Sequence, residues 1–193
     1  YAMPGFVAFG VCAIPAGWIA DKWHRHGMIC IFFIGIGLAS TATSFANSPF
    51  QIGCGLFIIG LFAAIYHPVG IAMVVQGRVK TGMPLAVNGV FGNFGVAAAA
   101  LVTGIIIDTF GWRTAFIVPG VFSIAIGVTY LIFTRAGDLE SLYPTEISVV
   151  PASASKVEID RQILVQVFAV IFFTTAMGGL IFQSTTFALP KIL

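Results

Sequence analysis

Long apolar stretches without charge alternate with short charged clusters along the whole chain. The charged clusters lie at 21–25, 78–80, 108–113 and 135–161, and Lys191 follows near the end. One longer uncharged run contains Asn47-Ser48-Pro49, a turn signal that divides it, because the residue before a proline resists helix. The pattern predicts spans at about 1–20, 28–47, 50–76, 83–107, 114–134 and 163–190.

Each stretch has the length that a helix needs to cross a membrane. A hydrocarbon core of ~30 Å takes about 20 helical residues, whereas a transmembrane strand takes about half as many and alternates polar with apolar positions. The composition agrees, with 59% hydrophobic and 8% charged residues and a mean hydropathy of +1.03. A soluble domain carries about a quarter charged residues. We therefore predict an all-α, polytopic membrane helix bundle in contact with the lipid bilayer.

Positive charge lies in alternate loops. Lysine and arginine are kept on the cytoplasmic side of a membrane, so the first, third and fifth loops are predicted to be inside. The overall charge of +2 includes no basic tract, and we expect no nucleic-acid partner. The residues that set this topology are Lys22, Arg25, Arg78, Lys80, Arg135, Lys156 and Arg161.

The ends of the chain bear on its completeness. Tyr1 stands at the start of an apolar stretch, and Leu193 follows the last one. We expect a fragment whose partners include the remaining helices of its own chain; the alternative is a complete six-span protein.

A short motif occurs twice. Gly17, Asp21 and Trp23 match Gly104, Asp108 and Phe110 at a constant offset of 87 positions, and an arginine follows each copy, Arg25 and Arg113. Three spans separate the copies, so they are predicted to lie on opposite sides of the membrane. Inverted repeats of this kind are common in secondary transporters.

The first copy resembles a family signature. Gly17-x-x-x-Asp21-Lys22-x-x-Arg25-His26 is similar to the loop after the second helix of the major facilitator superfamily, and Gly111-Trp112-Arg113-x-x-Phe116 to the start of its sixth helix. Tyr66-His67-Pro68-Val69-Gly70 resembles the fourth helix of the fosmidomycin-resistance and related drug-efflux branches.

The resemblance implies helices two to seven of a twelve-helix transporter, built from inverted three-helix repeats and incomplete here. Residues 1–134 would form most of the N-terminal half, 135–162 the cytoplasmic central linker and 163–193 the first span of the C-terminal half.

The resemblance makes Gly17, Asp21, Lys22 and Arg25 a cytoplasmic gate motif, which holds one conformation and opens during transport. Charge alone also fits an ordinary topology signal at a helix end. The second copy, Gly104, Asp108 and Arg113, would form the repeat-related outer loop.

Four side chains within the spans are candidates for a substrate or proton pathway: His67, Tyr66, Asn88 and Asn93. Histidine as a residue type can exchange a proton near neutral pH, so His67 would carry a coupling proton, or it is a neutral histidine bonded between helices. The asparagines line the path or join helices. Gly89, Gly92 and Gly95 predict a tightly packed face of the same helix.

Small hydroxyl side chains in the second span suit a local role. They are expected to bond back to carbonyls of their own helix. They are Ser40, Thr41, Thr43 and Ser44.

Together these features favour a secondary transporter with alternating access for a small organic solute, coupled to protons and working as an efflux system in the cytoplasmic (inner) membrane. The alternatives are a non-transporting membrane subunit and a membrane-embedded enzyme. An enzyme needs several converging ionisable groups, and only His67 is available within the spans, so we expect no enzyme. We also expect no metal and no other cofactor. No Walker-type phosphate loop occurs in the sequence.

Overall fold

The computed structural model of the protein describes residues 2–135 and 161–192, so most of the predicted linker, 135–162, lies outside the described residues. Within those ranges all regular structure is helical, which confirms the predicted all-α class. The helices are α1 Met3–Lys22, α2 Arg25–Thr43, α3 Pro49–Ala63, α4 Tyr66–Val75, α5 Gly82–Phe110, α6 Thr114–Arg135 and α7 Arg161–Ile192.

Within residues 2–135 and 161–192, five helical segments are long and apolar enough to cross a membrane. They are α1, α2, α3 with α4 taken together (Pro49–Val75), α5 and α6. The described apolar part of α7 is the shorter stretch Val165–Met177, and a span at 163–190 stays a prediction. Helices α1–α6 belong to one compact unit and α7 to another.

The start of α3 follows from its sequence. Ser48 is the N-cap, and its side chain accepts a hydrogen bond of 3.3 Å from the backbone N–H of Gln51. Pro49 follows at the first helical position, where a missing N–H has no cost. The turn signal in the sequence therefore separates two helices here.

The predicted span 50–76 is not one continuous helix. It breaks at Ala64 and Ile65, between α3 and α4. Pro68 explains the break, because it has no N–H for the carbonyl of Ala64 and its ring crowds that carbonyl. Ala64 is 0% exposed and Ile65 6% exposed, so the irregular backbone is enclosed by protein, as backbone at membrane depth must be.

Glycines bring α2 and α6 close together. A Cβ on Gly37 would lie 2.6 Å from the carbonyl oxygen of Gly120, and one on Gly127 would lie 2.8 Å from a side-chain carbon of Ile34. Such spacing leaves no room for larger side chains, so these helices pack through their backbones. A Cβ on Gly60 of α3 would likewise overlap the backbone of α1 at Gly5.

Hydroxyl groups also join α2 to α6. Ser40 donates a hydrogen bond of 2.8 Å to the carbonyl of Phe116, and Ser123 donates one of 2.8 Å to the carbonyl of Phe33. The predicted bond of Ser40 to its own helix was therefore wrong, because α6 approaches close enough to supply a carbonyl. The same prediction is confirmed for its neighbours Thr41, Thr43 and Ser44, which bond to Gly37, Ala39 and Thr41.

The buried core lies where α1, α2 and α4 meet. It includes Ala16 and Ala20 of α1, Met28 and Ile29 of α2, and Val69 of α4. The residues on α1 are small, so this core holds the end of α1 close to the first turns of α4.

Helix α5 has no buried residue. A Cβ added to Gly89, Gly92 or Gly95 would meet nothing within 4 Å. The predicted tight packing of this glycine face is therefore wrong for the part of the chain that the structure describes, where no other helix reaches these glycines.

Candidate functional site

The residues of the predicted gate motif lie in the second half of α1 and at the start of α2. Asp21 and Arg25 form an ion pair of 3.2 Å, and Arg25 also donates a hydrogen bond of 3.4 Å to the side-chain oxygen of Gln76, just after α4. The Asp21 side chain is 71% exposed and that of Arg25 35% exposed. An ion pair so open to solvent contributes about 0.2–1 kcal/mol, so it breaks easily. We call residues 21–25 the α1–α2 corner.

The other two members of the gate motif have different neighbours. The ammonium group of Lys22 lies 4.2 Å from the centre of the Trp18 ring, in a cation–π contact. A Cβ on Gly17 would lie 3.3 Å from the Cβ of Pro68, which is close contact. Gly17 therefore lets α1 approach α4 at the proline that causes the break.

The second copy of the motif lies at the other end of α2. Arg113 donates hydrogen bonds of 3.0 Å to the carbonyl of Ser44, 3.4 Å to that of Ala46 and 2.9 Å to the side-chain oxygen of Asn47. Its guanidinium also lies 4.9 Å from the centre of the Trp112 ring. Carbonyls at a helix C-terminus have no partner within the helix, so Arg113 caps α2.

The remaining residues of the predicted outer loop make fewer contacts. Asp108 is exposed, and in the described ranges it forms no ion pair. A Cβ on Gly104 would meet nothing within 4 Å. We call residues 108–113 the α5–α6 corner. The two corners lie at opposite ends of α2, since Arg25 begins that helix and Arg113 binds the carbonyls that follow it.

The structure brings three of the four pathway candidates together. The Tyr66 hydroxyl donates a hydrogen bond of 2.9 Å to the side-chain oxygen of Asn88, which joins α4 to α5. His67 is the next residue, and its ring meets that of Phe9 edge-on at 5.5 Å between centroids. The His67 side chain is exposed, so described helices leave it accessible. Asn93 lies apart, exposed and more than a turn further along α5.

An open cleft lies beside this group, between the end of α4 and the start of α5. Its volume is about 590 Å³. The two polar side chains that line it are Asn88 and Arg78, and the rest of the lining is apolar. The sequence analysis identified Arg78 only as a topology signal. The position of Arg78 in the sequence does not show that it lies on the wall of a cleft between two helices.

Metal ligands are not assembled in the described ranges, where no group of three His, Cys, Asp or Glu side chains could hold an ion. The cysteines Cys12, Cys30 and Cys54 are free thiols.

Comparison with known proteins gives one family. A model described as Major Facilitator Superfamily matches residues 2–192. An uncharacterized MFS-type transporter of Bacillus subtilis is 32% identical over 55% of the chain and 28% of its own length. A niacin transporter of Acinetobacter baylyi is 28% identical over 64% of the chain and 29% of its own length.

A further relative has a different description. A puromycin resistance protein of Streptomyces alboniger is 27% identical over 55% of the chain and 22% of its own length. The matches thus span less than a third of each of these relatives. No solved structure matches the chain.

Proposed function

This chain belongs to the major facilitator superfamily, and on that premise we propose that the intact protein carries a small organic solute across the membrane by alternating access. The observation that carries the proposal is the interrupted span α3–α4 with the Tyr66–Asn88 hydrogen bond beside the break. Discontinuous helices with polar groups at membrane depth form the binding sites of many secondary transporters.

The relatives support the kind of solute. One relative is named as a niacin transporter and another as a puromycin resistance protein, and both compounds are small organic molecules. The puromycin resistance protein, together with the resemblance of Tyr66–Gly70 to drug-efflux proteins, supports export. The chain is a multi-pass integral membrane protein. The cytoplasmic (inner) membrane is where we propose that it works, with residues 21–25 and 76–80 facing the cytoplasm.

The α1–α2 corner supports the alternating-access step. Asp21, Arg25 and Gln76 link the start of α2 to the end of α4 through exposed, individually weak contacts. A gate that opens in every cycle needs contacts of this strength, because a buried network would cost too much to break. We propose that these contacts form in one conformation and separate in the other.

His67 supports proton coupling. It lies deep in a span, next to the helix break and one residue from the Tyr66–Asn88 bond. An ionisable side chain at this depth is costly in lipid and marks ion or proton paths. We propose that His67 takes up and releases the coupling proton while the solute crosses.

The test is solute flux in vesicles that contain the intact protein, with and without an imposed proton gradient. A panel of hydrophobic drugs and small organic acids would be supplied. We expect gradient-driven flux in the wild type and a His67→Gln variant whose flux no longer responds to the gradient. His24→Gln is the matched control, because His24 lies in the α1–α2 turn.

Two results would contradict the proposal. Flux that keeps its gradient dependence in His67→Gln would exclude the proton role of that residue. A well-inserted protein that moves no solute under any gradient would favour a non-transporting membrane subunit instead. Catalysis is a weaker alternative, since the ring contacts of His67 among the described residues are with Phe9 and Tyr66, and no carboxylate pairs with it there.

A further inference from the structure

The cleft between α4 and α5 is open to its surroundings and large enough to admit a small molecule. Its volume of about 590 Å³ lies within the usual range for ligand pockets, about 300–1,000 Å³. Most of its wall is apolar, including Met73, Met83 and Phe91. Flexible thioethers and an aromatic ring suit a flat hydrocarbon or aromatic group.

Arg78 supplies the charge of the cleft. Gly77 has a positive φ of 71°, which reverses the chain at the end of α4, and Arg78 follows it on the cleft wall. Glycine adopts this backbone conformation without strain, so the turn is built into the sequence. A guanidinium presents several N–H donors in one plane and matches a carboxylate well.

Asn88 adds donors of the same kind. Its side-chain oxygen accepts the Tyr66 hydroxyl, so its amide N–H₂ group stays available to a ligand. Both polar side chains on the cleft wall therefore offer N–H donors, and no carboxylate of the described residues lines it. The motif carboxylate Asp21 is already bound by Arg25.

We propose that this cleft admits a small aromatic carboxylate, whose charged group binds Arg78 and Asn88 while its ring lies against Met83 and Phe91. The inference rests on the proposed transport function. It names the class of solute that would enter the transporter from the cytoplasm through this cleft. A cation would meet the like charge of Arg78, and a neutral amide would lose the charge-assisted bonds.

The test is equilibrium binding of radiolabelled benzoate and of its neutral isostere benzamide to the purified intact protein at neutral pH and fixed salt. We expect benzoate to bind saturably and about tenfold more tightly than benzamide. Arg78→Gln should remove this preference. Lys80→Gln is the matched control, because it removes a nearby positive charge that does not line the cleft and should leave the preference intact.

Several outcomes would overturn the inference: no saturable benzoate binding, equal affinity for the two probes, or equal losses in Arg78→Gln and Lys80→Gln. Arg78→Lys provides a folded second variant, expected to keep part of the preference, since lysine keeps the charge but not the planar fork. Vesicle flux separates the two proposals. Flux of neutral solutes without benzoate selectivity would refute only the proposed carboxylate site in the cleft. Binding that depends on Arg78 without any flux would refute only the proposed transport function.

Discussion

The α1–α2 corner and the α5–α6 corner have related sequences, but their arginines bond to different partners. Arg25 pairs with the carboxylate of Asp21 and touches Gln76 at 3.4 Å. In the described ranges Arg113 forms no ion pair with the matching Asp108. It donates three hydrogen bonds to Ser44, Ala46 and Asn47, which follow α2. Arg25 thus bonds to side chains alone, whereas Arg113 bonds to two backbone carbonyls and to the side chain of Asn47.

The difference shows how one motif can suit two tasks. Backbone carbonyls at a helix end need a donor in every conformation, so a cap on them is permanent. An exposed carboxylate is well solvated without its partner, so an ion pair with it opens at small cost. We therefore expect the α5–α6 corner to stabilise the bundle and the α1–α2 corner to act in transport.

The largest expected effect is on stability, at the α5–α6 corner. Arg113→Ala would leave the carbonyls of Ser44 and Ala46 without their donor and lower the free energy of unfolding by about 2 kcal/mol. Thermal unfolding in detergent measures it. Arg113→Lys keeps the loop charge and should lose less. An unchanged unfolding midpoint in Arg113→Ala would show that the cap carries no stability.

The next effect is on transport, at the α1–α2 corner. Asp21→Asn removes the charge that holds Arg25, and we expect flux to fall by about tenfold as the balance between conformations shifts. The unfolding midpoint should hardly change, because the pair is exposed. Vesicle flux and thermal unfolding on the same preparation decide this. Normal flux in Asp21→Asn would refute the gate.

A smaller effect is expected where Asn47 meets Arg113. Asn47→Ala removes one acceptor of the guanidinium but leaves the two carbonyls, so the loss of stability should be about 1 kcal/mol. Asn47→Asp keeps an acceptor for the guanidinium, so its stability should be close to that of the wild type. Thermal unfolding of both variants beside Arg113→Ala gives the order. A loss in Asn47→Ala as large as that in Arg113→Ala would contradict the capping role of the carbonyls.

The smallest effect is expected at Asp108, the counterpart of Asp21. Asp108→Asn should leave flux unchanged and stability within about 0.5 kcal/mol, because the carboxylate is exposed and forms no ion pair in the described ranges. The same two assays apply. A transport defect equal to that of Asp21→Asn would mean that the two copies of the motif act alike, and the comparison would fail.

Predictions from sequence succeeded where one property of a helix decides the outcome. The helices α1 to α6 lie over the predicted apolar stretches because lipid leaves few ways to satisfy backbone N–H and C=O groups. The predictions failed where a neighbouring helix determines the contacts of a residue. Ser40 bonds across to α6 rather than within α2, and Gly89 meets open space although Gly37 meets another backbone. A pattern along one helix does not show which face another helix covers.

The sequence by itself determined the helical membrane class, the approximate helix bounds and the family, because apolar length and a charged loop motif depend only on the order of residues. The tertiary structure decided that the predicted span 50–76 divides before Tyr66, that Tyr66 reaches Asn88 and that Arg78 lines a cleft. It also decided that Arg113 binds the backbone carbonyls of Ser44 and Ala46, whereas Arg25 binds the carboxylate of Asp21. Those contacts join residues far apart in the chain, so they exist only once the helices have packed.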